Sequence, residues 1–433
     1  MSTIASVSGR RVWDSRGNPT VEADVILTNG VRGRAIAPAG ASRGLREAVD
    51  LRDGEPVLRG QGVTDALRQI NSSIANTLKG MNIQDQHAID QAMITLDGSP
   101  NKATLGGNAT VAVSLAALHA SAGARNMPLW KHISEQGDHT PSIPLPEIQI
   151  FGGGAHAGQR VDIQDFMIMV PGASSFDEMM EITSEVYFAA GDIMASRGKQ
   201  AGIADEGGWW PVFDSNEEAL ETLVAAIEKA GEKPGDNVVI SLDIAASEFG
   251  TKGRYKLALE NRELSSEGFI DLLGGWLDAY PIVSIEDPLA ENDNEAMIEF
   301  TRRFGERVQI IGDDYLVTNP DYVSEAIDAG ACNAVLIKVN QVGTVSEAFE
   351  AFRQAQSQDW GTVVSARSGE TEDTSISHIA VGLGALQLKV GSFQRSERMA
   401  KWNECLRIQD ELGPNSYSAG RALQHTWWGK RQQ

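Results

Sequence analysis

Over residues 1–30, apolar and polar positions first alternate and then run apolar, and an Asn29-Gly30 pair marks a sharp turn. That pattern predicts a β-hairpin. Between residues 62 and 135 apolar positions recur at threes and fours, which predicts helices, and the small-residue run Ala109 to Ala124 suits close packing. A polar, Pro-bearing stretch from Gln136 to Pro146 reads as a linker. It predicts two domains, 1–138 and 139–433. Beyond it, short apolar, β-branched runs end in a polar or charged residue: Val238–Asp243, Pro281–Glu286, Val308–Asp313, Ala334–Lys338, Gly361–Ser365 and Leu386–Lys389. Helix-like sequence separates them, so parallel βαβ units are expected. This many repeats favour a closed α/β barrel over an open doubly wound sheet, for which no GxGxxG follows a first strand. In a barrel, strand C-termini converge on one face and bring sequence-distant residues together.

Charge and cysteine content narrow the function. Lys and Arg number 37 against 59 Asp and Glu, a net charge of −22. Bare nucleic acid and anionic membrane repel such a chain, and an anionic ligand would need local positive charge or metal cations. Two cysteines, Cys332 and Cys405, with no CxxC, exclude a disulfide framework and suit a reducing compartment. The first ten residues lack a secretory pattern, and no stretch approaches the ~18 apolar residues of a membrane helix. A cytoplasmic location is expected.

The strand ends carry the candidate chemistry. Asp243, Glu286 and Asp313 end three predicted strands; singly, each reads more readily as a helix cap or a solvated loop residue than as a functional group. Three carboxylates on one rim repel unless a cation sits among them, and hard oxygen ligands without His or Cys suit Mg²⁺. Lys338 and Lys389 end two more strands. A buried lysine beside a metal has its ammonium form disfavoured and can act as a general base, although neutralising the acidic rim is the alternative role. Glu206, in a Gly-flanked Asp205-Glu206-Gly207-Gly208 loop, is a candidate acid or simply part of a turn. A lysine base and Mg²⁺ are the combination that removes a proton α to a carboxylate and holds the ene-diolate.

At these residues the chain resembles the enolase family, and the likeness covers nearly its whole length. The matching segments include Asp14-Ser-Arg-Gly-Asn-Pro-Thr-Val-Glu22, Gly40-Ala-Ser42, Asp205 to Gly208, Asp243 to Phe249, Ser284 to Pro288, Lys338 to Gln341, Arg367 to Thr374 and Arg395 to Arg398. The resemblance implies an N-terminal α+β capping domain, a (β/α)8-type C-terminal barrel, and a homodimer or larger homo-oligomer. It implies Asp243, Glu286 and Asp313 as ligands of a tight Mg²⁺, with Ser42 near a second ion that arrives with substrate. Lys338 matches the base, Lys389 the group holding the substrate carboxylate, Glu206 the acid, Arg367 and Ser368 the phosphate binders, and His156 a loop histidine that closes over the substrate. The reaction so implied is loss of water from 2-phosphoglycerate to give phosphoenolpyruvate.

The sequence departs from the family pattern in several places. Ala366 stands where the family has histidine in Ser-His-Arg-Ser, and Asp165 stands for the Glu of Gln-Glu-Phe. Phe151-Gly-Gly-Gly-Ala-His156 replaces Asn-Gly-Gly-Ser-His, and the mobile loop carries Arg43. Proton abstraction and metal binding are then retained while the surroundings of the leaving group change. Space at Ala366 and charge at Arg43 suit a larger anionic partner, such as the CMP-linked phosphonoformyl donor that one enolase relative uses in phosphinothricin-type biosynthesis. The alternatives are an ordinary enolase that has drifted, or a non-catalytic surface-binding protein. Trp209-Trp210 beside the Glu206 loop is read as loop packing or a pocket wall, and Trp427-Trp428 as an interface patch.

Overall fold

The computed structural model describes residues 2–413, 416–417 and 419–432. The chain opens as a three-stranded antiparallel meander of β1 (Ile4–Trp13), β2 (Pro19–Leu27) and β3 (Arg32–Ile36). The expected hairpin is there with a third strand added. Asn29-Gly30 turns β2 into β3, and β1 meets β2 through an earlier turn. In that turn Asp14 Oδ1 accepts the backbone N–H groups of Arg16 and Asn18 at 2.9 and 2.8 Å.

One face of this sheet packs on α1 (Gly107–Ala124), an 18-residue helix that is buried almost all round. Small side chains allow that approach. A Cβ on Gly33 would lie 2.0 Å from the Ala116 carbonyl oxygen, so only glycine fits where β3 crosses the helix. A further helix, α2 (Leu129–Gly137), leads to the second unit.

Eight strands then close into a barrel: β4 (Leu145–Gly152), β5 (Asp165–Met169), β6 (Val239–Asp243), β7 (Ile282–Glu286), β8 (Gln309–Gly312), β9 (Ala334–Ile337), β10 (Gly361–Ser365) and β11 (Gln387–Ser392). Neighbours follow chain order, and β11 returns to β4 to close the ring. Not every pair is parallel, as the repeat had predicted. β5 runs antiparallel to both β4 and β6. The reason is the connection. Only residues 153–164 separate β4 from β5, with one short 3-10 turn and no crossover helix, so the chain has to double back.

The barrel interior is unusually polar below the mouth. Glu147, Ser241, Ser284, Gln309 and Gln387 are buried and hydrogen-bonded in one chain across five strands. Ile311, Ala334, Leu336 and Val363 form a small apolar cluster on the other side. The C-terminal Trp pair, expected as an interface patch, is tied to its own chain, with Trp428 buried and Trp427 partly exposed. Trp427 Nε1 donates to the Ile282 carbonyl at 2.7 Å and Trp428 Nε1 to that of Asp236 at 2.8 Å, which anchors the tail to the barrel. No helix among the described residues is long and apolar enough to cross a membrane.

Candidate active site

The barrel mouth brings the predicted residues together in three groups around a water-sized cavity of about 20 Å³. The first contains the predicted carboxylates and lysines; Lys389, expected at a strand end, lies inside β11, because pairing with β4 continues three residues further, to Ser392. Asp243 and Glu286 are the last residues of β6 and β7, and Asp313 and Lys338 directly follow β8 and β9. Lys389 Nζ lies 2.7 Å from Asp243, 2.8 Å from Glu286 and 3.5 Å from Asp165. Lys338 Nζ lies 2.6 Å from Asp313. Burial, reinforced by the Asp243 charge, pushes Glu286 well above the usual carboxylate range.

Burial alone would lower both lysines. The carboxylates outweigh it, so Lys338 is raised beside Asp313, and Lys389 well raised beside Asp243 and Glu286. For Lys338 this reverses the direction expected from sequence, because a counter-ion sits at contact distance. Lys338 can act as a base only when the Asp313 charge is engaged by another cation.

The donor set fits a divalent ion. Glu286 Oε1 is buried and without a hydrogen-bond partner among the described residues, and the candidate ligands are all hard carboxylate oxygens. Asp287, Asp313 and Asp314 form a tighter acidic group, with oxygens within 4.8 Å of one another. The Asp287 carboxylate, however, accepts the backbone N–H groups of Asp313 and Asp314 at 2.9 and 2.7 Å and so shapes that turn instead.

The second group is His156, Asp165 and Glu206, all buried. His156 Nδ1 is 3.2 Å from Asp165 and Nε2 is 3.7 Å from Glu206. Burial disfavours the imidazolium, but the two carboxylates overcome it and push His156 up to about 9. Asp165 opens β5 and still reaches the mouth, because that strand runs downward. Gln149, unrecognised in the sequence, bonds Asp165 through its amide and reaches Glu206 at 3.4 Å. Its carbonyl accepts the Gly208 N–H at 2.9 Å, and a Cβ on Gly208 would lie 2.4 Å from that oxygen. The second glycine of Asp-Glu-Gly-Gly is therefore a packing requirement.

The third group crosses from barrel to cap. Arg367 is buried and paired with Glu47 at 3.0 and 3.1 Å, and it donates to Asn340 Oδ1 and the Ser42 carbonyl, each at 3.1 Å. A Cβ on Gly40 would lie 2.0 Å from Arg367 Nη2. Ser368 Oγ accepts the Ala41 N–H at 2.6 Å. Ala366 and Ser42 both line the cavity. Arg43 does not: it is half exposed and lies 3.6 Å from Asp50. Glu47 and Arg398 went unrecognised in the sequence as site residues. Arg398 donates to the carbonyls of Arg367 and Ser368 and holds their loop. Trp209 stacks on Tyr187, with ring centres 5.0 Å apart, and Trp210 approaches Gly158 on the His156 loop.

A capped barrel whose mouth gathers carboxylates, lysines and one guanidinium is the architecture of an enzyme for small anions. Residues 4–133 match the enolase N-terminal domain, and residues 140–427 match the enolase C-terminal TIM barrel domain. The chain belongs to the enolase family, and with it to the Mg²⁺-dependent enzymes of that superfamily, of lyase type. Members bind small phospho-carboxylates and often form homodimers.

Proposed function

We propose that the chain enolises a three-carbon phospho-carboxylate, and that its reaction is that of a carboxyphosphonoenolpyruvate synthase. The C3 hydroxyl leaves as water once the C2 proton is taken, and a second water takes the phosphoryl group from the enol oxygen as inorganic phosphate. The freed oxygen bonds to the phosphorus of a CMP-activated phosphonoformyl donor, from which CMP leaves with the electrons of the broken P–O bond. The observation that carries this reading is Ala366, a methyl group lining the cavity beside Arg367 where the family places an imidazole.

Mg²⁺, held by Asp243, Glu286 and Asp313 with Ser42 near a second ion, would supply the positive charge that stabilises an ene-diolate. Lys338 then takes the proton α to the carboxylate, and Lys389 pairs with that carboxylate. Arg367 and Ser368 hold the phosphoryl or phosphonyl oxygens, and His156 covers the substrate from its loop. Ordinary dehydration of 2-phosphoglycerate is a second reading, favoured by Glu206. Its carboxylate sits in the buried cluster with His156, 3.7 Å away, where an acid for a departing hydroxyl belongs.

Purified protein with Mg²⁺ separates the two. The expected result is trace phosphoenolpyruvate from 2-phosphoglycerate, solvent deuterium exchange at C2 that Lys338→Ala abolishes, and CMP release from the phosphonoformyl donor. Fast dehydration lost in Lys338→Ala, without CMP release, would establish the ordinary enolase reaction instead.

A further inference from the structure

Glu147 has no part in the chemistry above, yet it is a carboxylate sealed inside the barrel. Its Oε1 accepts Gln387 Nε2 at 3.0 Å and the Ser241 hydroxyl at 3.3 Å. Its Oε2 is buried with no partner among the described residues. A lone buried carboxylate oxygen is costly to maintain and calls for a donor or a cation. β4 and β11 are paired in parallel, and Glu147 and Lys389 occupy the same register position. Gln387 and Ser241, which hold Glu147, sit two residues before Lys389 and Asp243, so all four side chains share the interior face.

Lys389 is also placed awkwardly for a metal enzyme. Its ammonium is bonded to Asp243 and Glu286, two of the three carboxylates assigned to the ion. Glu286 keeps Oε1 open for an ion, but at Asp243 the Oδ1 already accepts the Ala245 N–H at 3.0 Å and the Oδ2 carries both Gln164 and Lys389, so an ion that takes Asp243 displaces the ammonium and leaves its charge beside the ion. A buried ammonium without a counter-ion is disfavoured by several kcal/mol.

We infer that Glu147 is the reserve counter-ion of Lys389: when a divalent cation takes Asp243 and Glu286, the ammonium turns to the unpartnered oxygen of Glu147. Glu147 is then a positioning residue. It eases metal entry by giving the displaced ammonium a partner. Burial raises Glu147 to about 7 against the pull of the Lys389 charge, so the carboxylate is ionised above that pH. The inference rests on the metal assignment made above.

The test is calorimetric titration of Mg²⁺ at about pH 8 into four proteins: the unaltered chain, Glu147→Gln, Lys389→Met and the double variant. Loss of the reserve charge should weaken Mg²⁺ binding about tenfold or more in Glu147→Gln. With Lys389 already replaced, the same change should cost less than about twofold, because no ammonium needs rehousing. Equal affinity of Glu147→Gln and the unaltered chain would overturn the inference. So would an equal loss in both backgrounds, which marks a purely structural carboxylate. An unaltered chain that takes up no Mg²⁺ would overturn the metal assignment itself, a distinct outcome. If Glu147→Gln fails to fold, Glu147→Met, of similar volume and no charge, carries the same comparison.

Discussion

Replacing Glu47 by Gln should expose how strongly the cap is tied to the barrel. The guanidinium of Arg367 is 3% exposed and the Glu47 side chain 5%, and two N–H groups meet the two carboxylate oxygens at 3.0 and 3.1 Å. Glutamine keeps the shape and one acceptor but turns an NH₂ toward a guanidinium that stays charged. Removing one partner of a buried pair costs about 3–5 kcal/mol. Asp313 and Asp314 also stabilise the Arg367 charge, which places the loss near the lower end of that range. For 433 residues the unfolding entropy is about 0.9 kcal/mol/K, so the apparent Tm should fall by about 3–5 °C. Differential scanning calorimetry reads that shift, and inorganic phosphate should recover part of it by supplying a replacement anion to Arg367. The double variant Glu47→Gln/Arg367→Met should melt above the single Glu47 variant, since no stranded charge remains. A Tm within about 1 °C of the unaltered chain, with no added response to phosphate, would refute the argument.

Three further outcomes are expected. Gly40→Ala puts a methyl group 2.0 Å from Arg367 Nη2 and should weaken phosphate binding by calorimetry about tenfold or more, whereas Gly275→Ala, on a helix with nothing within 4 Å, should leave it unchanged. His156 stands at about 9 when folded against 6.5 for the free group, so its contribution to stability is full below about pH 6.5 and is lost as pH rises through about 9. Urea unfolding of metal-free His156→Asn should therefore show a deficit near pH 6 that closes toward pH 10; a deficit that grows with pH would contradict the assignment. Trp428→Ala should destabilise by about 3–5 kcal/mol without changing the size seen in gel filtration, because that ring is buried within its own chain.

The sequence made the barrel's later strands legible because each is a short apolar run closed by a polar or charged residue. Gly361–Ser365 was bounded to the residue, and Asp243 and Glu286 were placed at true strand ends. The first two barrel strands escaped the same test. β4 carries Glu147 and Gln149 toward a polar interior, so it lacks the apolar signature, and β5 places its functional Asp165 at its beginning. Roles borne by side chains acting through other side chains were also hidden. Glu47 and Gln149 do their work by proximity to residues far along the chain, and no local spacing announces that. Arg43 misled for the opposite reason: a cation on the right loop was read as facing the site, while Asp50, seven residues on, claims it.

The Glu47–Arg367 pair spans 320 positions of sequence, with Ser42 and Gly40 contributing from the same end of the chain. On a ribosome the cap emerges first and waits with Glu47 unmatched until the ninth tenth of the polypeptide, which carries Arg367, has been made. A truncated or prematurely released product would present carboxylates from part of a barrel, but never the Glu47–Arg367 clasp between barrel and cap. A closed mouth is thus a property that only the nearly finished translation product acquires.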